Sequence, residues 1–452
     1  MKTPFTNVLT IALFSLSSVL SYGQPPLDGY LAEGLKNNLV LQQKNIALEK
    51  AMLALKIANG MFSPSITLLG NYTTGDGGRS ISFPVGDLLN PVYTTLNQLT
   101  GSSNFPTIEN VNQNFFPRDF YDVRARTSMP LVNTDLIYNK KIKMQQTVLQ
   151  GYEVAIYKRE LLRNMKVAYF NYLAALQSIK IYESALTRAE ESKRVNEALL
   201  ANGKGLPAYI LRSQSELENM KAQLADATRQ AENAKLYFNF LLNREGQSLI
   251  DSNYPVDGPT LLQTLPEANA AQREELKQLE TATTIQQTIV AMNRHVWTPR
   301  VSAFADLGAQ AERMRYNQNA NYYLLGVQLE MPLFAGFTNR NKIAQSKLEV
   351  RTSELTNQQV ATQLDLSIST SYNALLTARQ NYLSAQKQLD AAQSYERLIE
   401  KGYKEGASTF IESIDARAQL TAAQLLMAVS QYKILIATAN LERETAAIPL
   451  PE

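Results

Sequence analysis

Little in this chain can make or break a covalent bond. It has no cysteine and a single histidine, His295, in 452 residues, which removes disulfides, thiolate metal sites, most zinc chemistry and histidine-based activation of a nucleophile. There is no Ser/His/Asp set and no glycine-rich phosphate cradle, so catalytic residues, metals and cofactors are not expected. What remains is charge at a defined spacing. Glu412 and Asp415 lie three residues apart, which on a helix puts both carboxylates on one face. Such a pair reads as a solvated face or as an acidic pair at a helix N-terminus.

The elements that would position this pair occur twice. Met129-Pro130-Leu131 returns as Met331-Pro332-Leu333, Asn139-Lys140 as Asn341-Lys342, and Ser192 as Ser394, at a constant spacing of 202. One residue later in register, Gly203 and Leu217 return as Gly406 and Leu420. A unit this long, present only twice, is a duplicated half-structure rather than a solenoid repeat.

Composition is that of an ordinary folded protein, 45% hydrophobic and 19% charged, which is compatible with a membrane β-barrel because the barrel's apolar signal per segment is weak. A net charge of +3 gives no reason to expect nucleic acid. Lys2, the apolar stretch Val8 to Leu20 and Ser21-Tyr22-Gly23 form an export signal with cleavage before Gln24. No later stretch is an uninterrupted apolar run of the roughly 20 residues a membrane helix needs, so a membrane location requires strands.

Strand patterns sit at matching places. Val123, Ala125, Thr127 and Met129 alternate with Asp122, Arg124, Arg126 and Ser128, and Leu325, Val327 and Leu329 with Gly326, Gln328 and Glu330. Their partners are Ser63 to Tyr72 and Thr298 to Gln310. The pattern fits a barrel with lipid outside and water inside, or hairpins half-buried on a soluble core. Pro64 to Pro130 is twice as long as Pro299 to Pro332, so the first hairpin carries a Gly-, Asn-, Ser- and Pro-rich insertion that reads as a long loop, with a surface Ω-loop or a plug as the other readings. The proline-free intervals that follow each hairpin, dense in Ala, Leu, Gln, Glu and Lys, predict very long helices broken at Gly203 and Gly406 into antiparallel pairs whose tips lie far from the strands. Four strands leave open edges that lipid cannot satisfy; three copies supply twelve strands, which predicts a homotrimer.

These signals divide the chain into a signal peptide (1–23), a lead-in helix (24–61), a first β-hairpin (62–132) with a long extracellular loop at about 75–118, and a first pair of long helices (133–245) with its tip near 202–207. A linker (246–264), a second lead-in helix (265–297), a second hairpin (298–334), a second helix pair (335–446) with its tip near 402–409, and a tail (447–452) complete it. Phe62 and Trp297, each two residues before a strand-opening proline, read as an aromatic belt or as packing at the strand root. Asn139-Lys140-Lys141 and Asn341-Lys342 face headgroups or water, and His295 reads as structural.

The doubled plan, Leu27-x-x-x-Leu31-x-x-Gly34-Leu35-x-Asn37-Asn38, the Met-Pro-Leu strand ends and the Gly tips at Gly203 and Gly406 resemble the TolC-like outer-membrane efflux channel family across essentially the whole mature chain. The resemblance implies a mainly α fold with a transmembrane β part: a trimer forming a twelve-stranded barrel in the outer membrane and a twelve-helix tunnel through the periplasm. It implies docking on a periplasmic adaptor and an inner-membrane pump, and export of drugs, other small molecules or proteins. It assigns Glu412 and Asp415 to an electronegative ring at the periplasmic constriction, Tyr403 to the gate, and Gly203, Gly205, Leu206, Gly406, Ser408 and Thr409 to adaptor-docking tips. It places Tyr209 at the same periplasmic constriction, in the position of the family's gating acid, and Ser408 in that of its gating arginine, so in these two residues the chain departs from the family's polar latch of the closed state. The expected function is the passive exit tunnel of a tripartite efflux system, in contact with outer-membrane lipid and bound to no nucleic acid. Type I protein secretion and, more remotely, a periplasmic coiled-coil scaffold or adaptor are the alternatives; an enzyme is not expected.

Overall fold

Alternating side chains build one antiparallel sheet of four strands. The structure, a computed structural model, describes residues 26–116, 119–256, 273–313 and 315–450. The expected signal peptide, residues 257–272 of the linker and second lead-in, and the last two residues of the tail lie outside that range. The elements are α1 (Pro26–Asn37), α2 (Leu39–Gly60), β1 (Ser65–Thr73), β2 (Ser80–Phe83), α3 (Val85–Thr100), β3 (Val111–Asn114), β4 (Phe120–Val132), α4 (Thr134–Ala201), α5 (Pro207–Leu241), α6 (Glu274–Arg294), β5 (Arg300–Glu312), β6 (Asn321–Glu330), α7 (Thr338–Lys404) and α8 (Phe410–Thr445). They cluster into two units, one of residues 49–149 with 280–355, the other of the remainder.

The first unit holds the sheet, in the order β1-β4-β5-β6. Arg126 stands opposite Asp306, and Asp306 opposite Leu324, so the charged residues of β4 share a face with Asp306, Gln310, Tyr322 and Gln328. Ion pairs run across that face: Arg126 donates to both Asp306 oxygens at 2.7 and 2.6 Å, and Arg124 and Tyr322 donate to Asp122 at 2.5 and 2.8 Å, while Arg124 Nε is buried without a hydrogen-bond partner among the described residues. Phe304 lies under the Arg126 guanidinium and against Gly326, where a methyl group would overlap the ring. The opposite face is apolar and open; Tyr323, Leu325, Val327 and Leu329 of β6 are 65–72% exposed. Among the described residues β1 pairs only with β4 and β6 only with β5, so both outer edges offer unpaired backbone groups. At the strand roots Lys140 sits over the Phe62 ring, Trp297 is half-exposed, and His295 Nδ1 lies 3.1 Å from the Tyr138 hydroxyl and 2.8 Å from the Ala291 carbonyl, which gives His295 a structural place.

The stretch expected as an irregular loop at about 75–118 is folded. It contains α3 and a two-stranded ribbon of β2 and β3. Its many asparagines, which suggest loop, are spent on order: Asn90 and Asn97 hydrogen-bond through both side-chain atoms to the backbone of Ile108 and Phe105 at 2.8–3.1 Å.

The second unit is helical. α4 runs 68 residues, about 100 Å at 1.5 Å per residue. The lead-in is two helices rather than one. Asn38 interrupts it, accepting from the N–H groups of Val40 and Leu41 to cap α2 and donating to the Leu241 carbonyl at 3.0 Å, while Tyr157 donates to it at 3.1 Å. Gly34 lets α1 approach Met165 and Leu242 more closely than any side chain would allow, and Leu27, Leu161, Tyr169 and Phe238 complete this core. α8 is long and apolar enough to cross a membrane by composition, but it buries Ala416, Leu420, Ile434 and Leu441 against its own chain, as a core helix does. Where α6 begins and α8 ends, Arg273, 1% exposed, donates to Glu275 and Glu444, and Arg443 joins Glu160, Glu275 and Glu444. Burial pushes the Glu275 and Glu444 carboxyls up, yet the adjoining arginines outweigh it and hold both below the ordinary range.

Candidate functional site at the hairpin tips

Both long helices end in the same way. At the first tip Lys204 N–H donates to Leu199 O and Gly203 N–H to Leu200 O; at the second, Ala407 N–H donates to Gly402 O and Gly406 N–H to Tyr403 O. These paired bonds are Schellman closures, which need a left-handed residue at the turn; Gly203 and Gly406 supply it with φ of +68° and +75°. Gly205 packs against the backbone of Leu199 and Leu200. Exposed Leu206 precedes Pro207, the first residue of α5, without a side-chain cap. Across the second turn Ser408 lies against Gly402, where a methyl group would collide with its hydroxyl.

Thr409 and Glu412 form a capping box: Glu412 N–H donates to Thr409 Oγ1 at 3.2 Å, and Thr409 N–H donates to Glu412 Oε2 at 2.6 Å. The backbone and hydroxyl donors of Thr409 hold the Glu412 carboxyl below its usual range. Asp415, one turn on, accepts from Gln419 at 2.7 Å. Both acids are exposed, while Ser413, Ile414 and Ala416 between and beside them are buried, so the pair faces away from its own hairpin.

Tyr403 and Tyr209 do not face each other across a polar gap. Both pack on Phe410, with ring centroids 6.0 and 4.9 Å away. The Tyr403 hydroxyl donates to Asn196 Oδ1 at 3.2 Å, Asn196 donates to Ser213 Oγ at 2.8 Å, and Ser213 donates to the Tyr209 carbonyl at 2.8 Å. α4, α5 and α7 are thereby tied through buried side chains. Burial raises the Tyr403 pKa.

Deeper in the same bundle, Arg417 donates to Ser192 at 2.9 Å and lies 3.8 Å from Glu216. The Arg417 Nε and Glu216 Oε2 atoms are buried without a hydrogen-bond partner among the described residues. Burial pushes the Glu216 carboxyl up, against the pull of Arg417 and Arg212. Arg188 is held down by burial and by Arg417. Asn196, Ser213, Phe410, Arg188, Glu216 and Arg417 did not stand out in the sequence. The clustering of Tyr209, Tyr403 and Phe410 within a few residues of the two tip glycines was the one signal available. Among the described residues no group of three or more His, Cys, Asp and Glu able to hold a metal ion is present.

Residues 264–446 match the sequence profile of the Outer membrane efflux protein family. The chain is similar to the pyoverdine export outer membrane protein OpmQ of Pseudomonas aeruginosa, 24% identical over 299 residues, a match spanning 63% of each chain and so a little under two thirds of that relative. It is similar to the alkaline protease secretion protein AprF of the same organism, 21% identical over 348 residues, 72% of this chain and 69% of AprF. Among solved structures it superposes on the outer-membrane channel OprN with a TM-score of 0.75 at 17% identity, over 95% of this chain and 91% of that one.

Proposed function

We propose that this chain, whose residues 264–446 match the outer membrane efflux protein family, is a member of that family and the exit duct of a tripartite efflux assembly that carries small molecules across the periplasm and outer membrane. Members of that family are channels rather than enzymes, and the chain resides in the outer membrane with a periplasmic part. The observation that carries the reading is the four-stranded sheet, apolar and open on one face, charged on the other, and unpaired at both edges. Lipid cannot satisfy an open edge, so three copies close a barrel whose charged face lines a water-filled lumen. The capped, rigid tips carrying Gly203, Gly205, Leu206, Gly406, Ser408 and Thr409 present themselves to a periplasmic adaptor bound to an inner-membrane pump, and Glu412 and Asp415 gather carboxylates around the axis. Similarity to OpmQ, a pyoverdine exporter by name, supports small-molecule cargo.

Similarity to AprF supports a second reading, in which the cargo is a polypeptide. A deletion strain distinguishes them. Small-molecule efflux predicts intracellular accumulation of dyes and toxic organic solutes with an unchanged set of secreted proteins. Loss of one secreted protein with unchanged solute accumulation assigns the duct to protein secretion.

A further inference from the structure

The insertion between β1 and β4 is built inside out. α3 spends its polar side on its own chain, through Asn90 and Asn97, whose side chains pair with the backbone at Ile108 and Phe105. Its apolar side is left open: Leu88, Val92 and Leu99, spaced to share one helical face, are 69%, 51% and 78% exposed. The ribbon is likewise two-faced. Ser80, Ser82, Asn112 and Asn114 lie on one side, and Ile81, Phe83 and Val111, continued by Phe115 and interrupted by Gln113 opposite Ile81, on the other. That second side is also about half-exposed. The insertion thus presents two different apolar surfaces, neither of which covers the other, at the end of the sheet remote from α2 and α4. Between residues 79 and 116 only Arg79, which lies over the Phe115 ring at the margin of the ribbon face, Asp87 and Glu109 are charged, so water is a poor match for most of either surface.

A helix in a lone chain gains nothing from this arrangement, but a ring does. Cyclic assembly uses heterologous contacts, in which one patch meets a different patch on the next copy, and two unlike apolar patches are what such a contact needs. The insertion also hangs from β1, an outer edge of the sheet, and so stands at the seam where the neighbouring copy must pair. We infer that the Leu88/Val92/Leu99 face of α3 docks on the Ile81/Phe83/Val111/Phe115 face of the ribbon in the adjacent copy, joining three insertions into a collar around the extracellular mouth. The inference rests on the trimeric barrel proposed above.

The native absence of cysteine makes the test clean. Leu99→Cys with Phe83→Cys, and independently Leu88→Cys with Phe115→Cys, are introduced into the full chain in outer-membrane vesicles and treated with a short bismaleimide. The expected result is covalent dimers and trimers from either double variant, and none from the single variants. Native mass spectrometry of the same untreated samples reports assembly separately. Trimers without cross-links in both double variants overturn the collar while leaving the barrel in place; absence of trimers overturns the barrel reading itself. Bimane attached at Leu99→Cys identifies the other occupants: quenching by brominated lipid assigns the face to the membrane, and quenching by aqueous iodide assigns it to solvent. Either result also sinks the collar.

Discussion

Glu412 has two demands on one carboxylate: it caps α8 and, in the channel proposed above, it would contribute charge near the axis. The two are compatible because donors that favour the ionised form keep it ionised, so the cap maintains the charge to lower pH than an unpartnered glutamate would. In Glu412→Gln the amide oxygen can still accept from Thr409, which separates charge from capping. The double change Glu412→Gln with Asp415→Asn is therefore expected to reduce cation preference and block by multivalent cations in planar bilayers, with the trimer unchanged. Unaltered selectivity would move both side chains to the outer face of the tunnel. Gly406 separates strain from crowding in a similar way. Nothing lies near its missing side chain, so Gly406→Ala pays only for the left-handed backbone, about 1–2 kcal/mol. Hydrogen exchange around residues 400–410 should accelerate by roughly tenfold. The larger Gly406→Leu should abolish efflux while membrane insertion and assembly persist; equal loss of insertion would make the glycine a folding residue.

At the level of elements, the junction of α4, α6 and α8 depends on charges that are buried but balanced. Arg273→Met would remove one of the two arginines that bridge Glu275 and Glu444 and leave Arg443 to balance both along with Glu160, and removal of one member of such a cluster costs about 3–5 kcal/mol. A chemical-denaturation midpoint unchanged by this substitution would contradict that account. The acids also respond to pH with opposite signs. Glu275 and Glu444 are depressed, so their contribution is present above the ordinary glutamate range and is lost as pH falls through their folded values. Glu216 is raised, so its contribution is present at low pH and is lost as pH rises through its folded value. Moving from about pH 7 to about pH 4, near the glutamate reference value, exchange protection corrected for intrinsic rate should fall around residues 273–275 and rise around Glu216 and Arg417. Parallel changes at the two places would refute the assignment. The same elements show what sequence can carry. Strand parity was legible because every second residue changes character, and the tips because glycine adopts their left-handed backbone most readily. The break at Asn38 was hidden because its partners, Leu241 and Tyr157, are distant in sequence. The helix in the insertion was masked by Pro91 and by asparagines whose purpose is visible only once residues 105–110 lie alongside them. Tyr403 could be named, but its bond to Asn196 joins residues 207 apart, and no local pattern encodes that.

For the whole molecule, the decisive quantity is the cost of an open strand in hydrocarbon. β1 has nine residues and β6 ten, and on each outer edge about every second residue points its N–H and C=O outward. Each group left without a partner in lipid costs several kcal/mol, a sum that exceeds the entire stability of an ordinary domain, about 5–15 kcal/mol. A lone chain therefore has no folded state in a bilayer, whereas a closed ring leaves no edge. The mature chain should purify in detergent as a trimer. Dissociation should coincide with loss of the β signal in circular dichroism rather than precede it, because the strands have no independent stability in lipid or micelle. Native mass spectrometry combined with thermal melts tests both points. A monodisperse monomer that keeps its strands in detergent would show that the edges are satisfied within one chain, and the barrel assignment would then have to be abandoned.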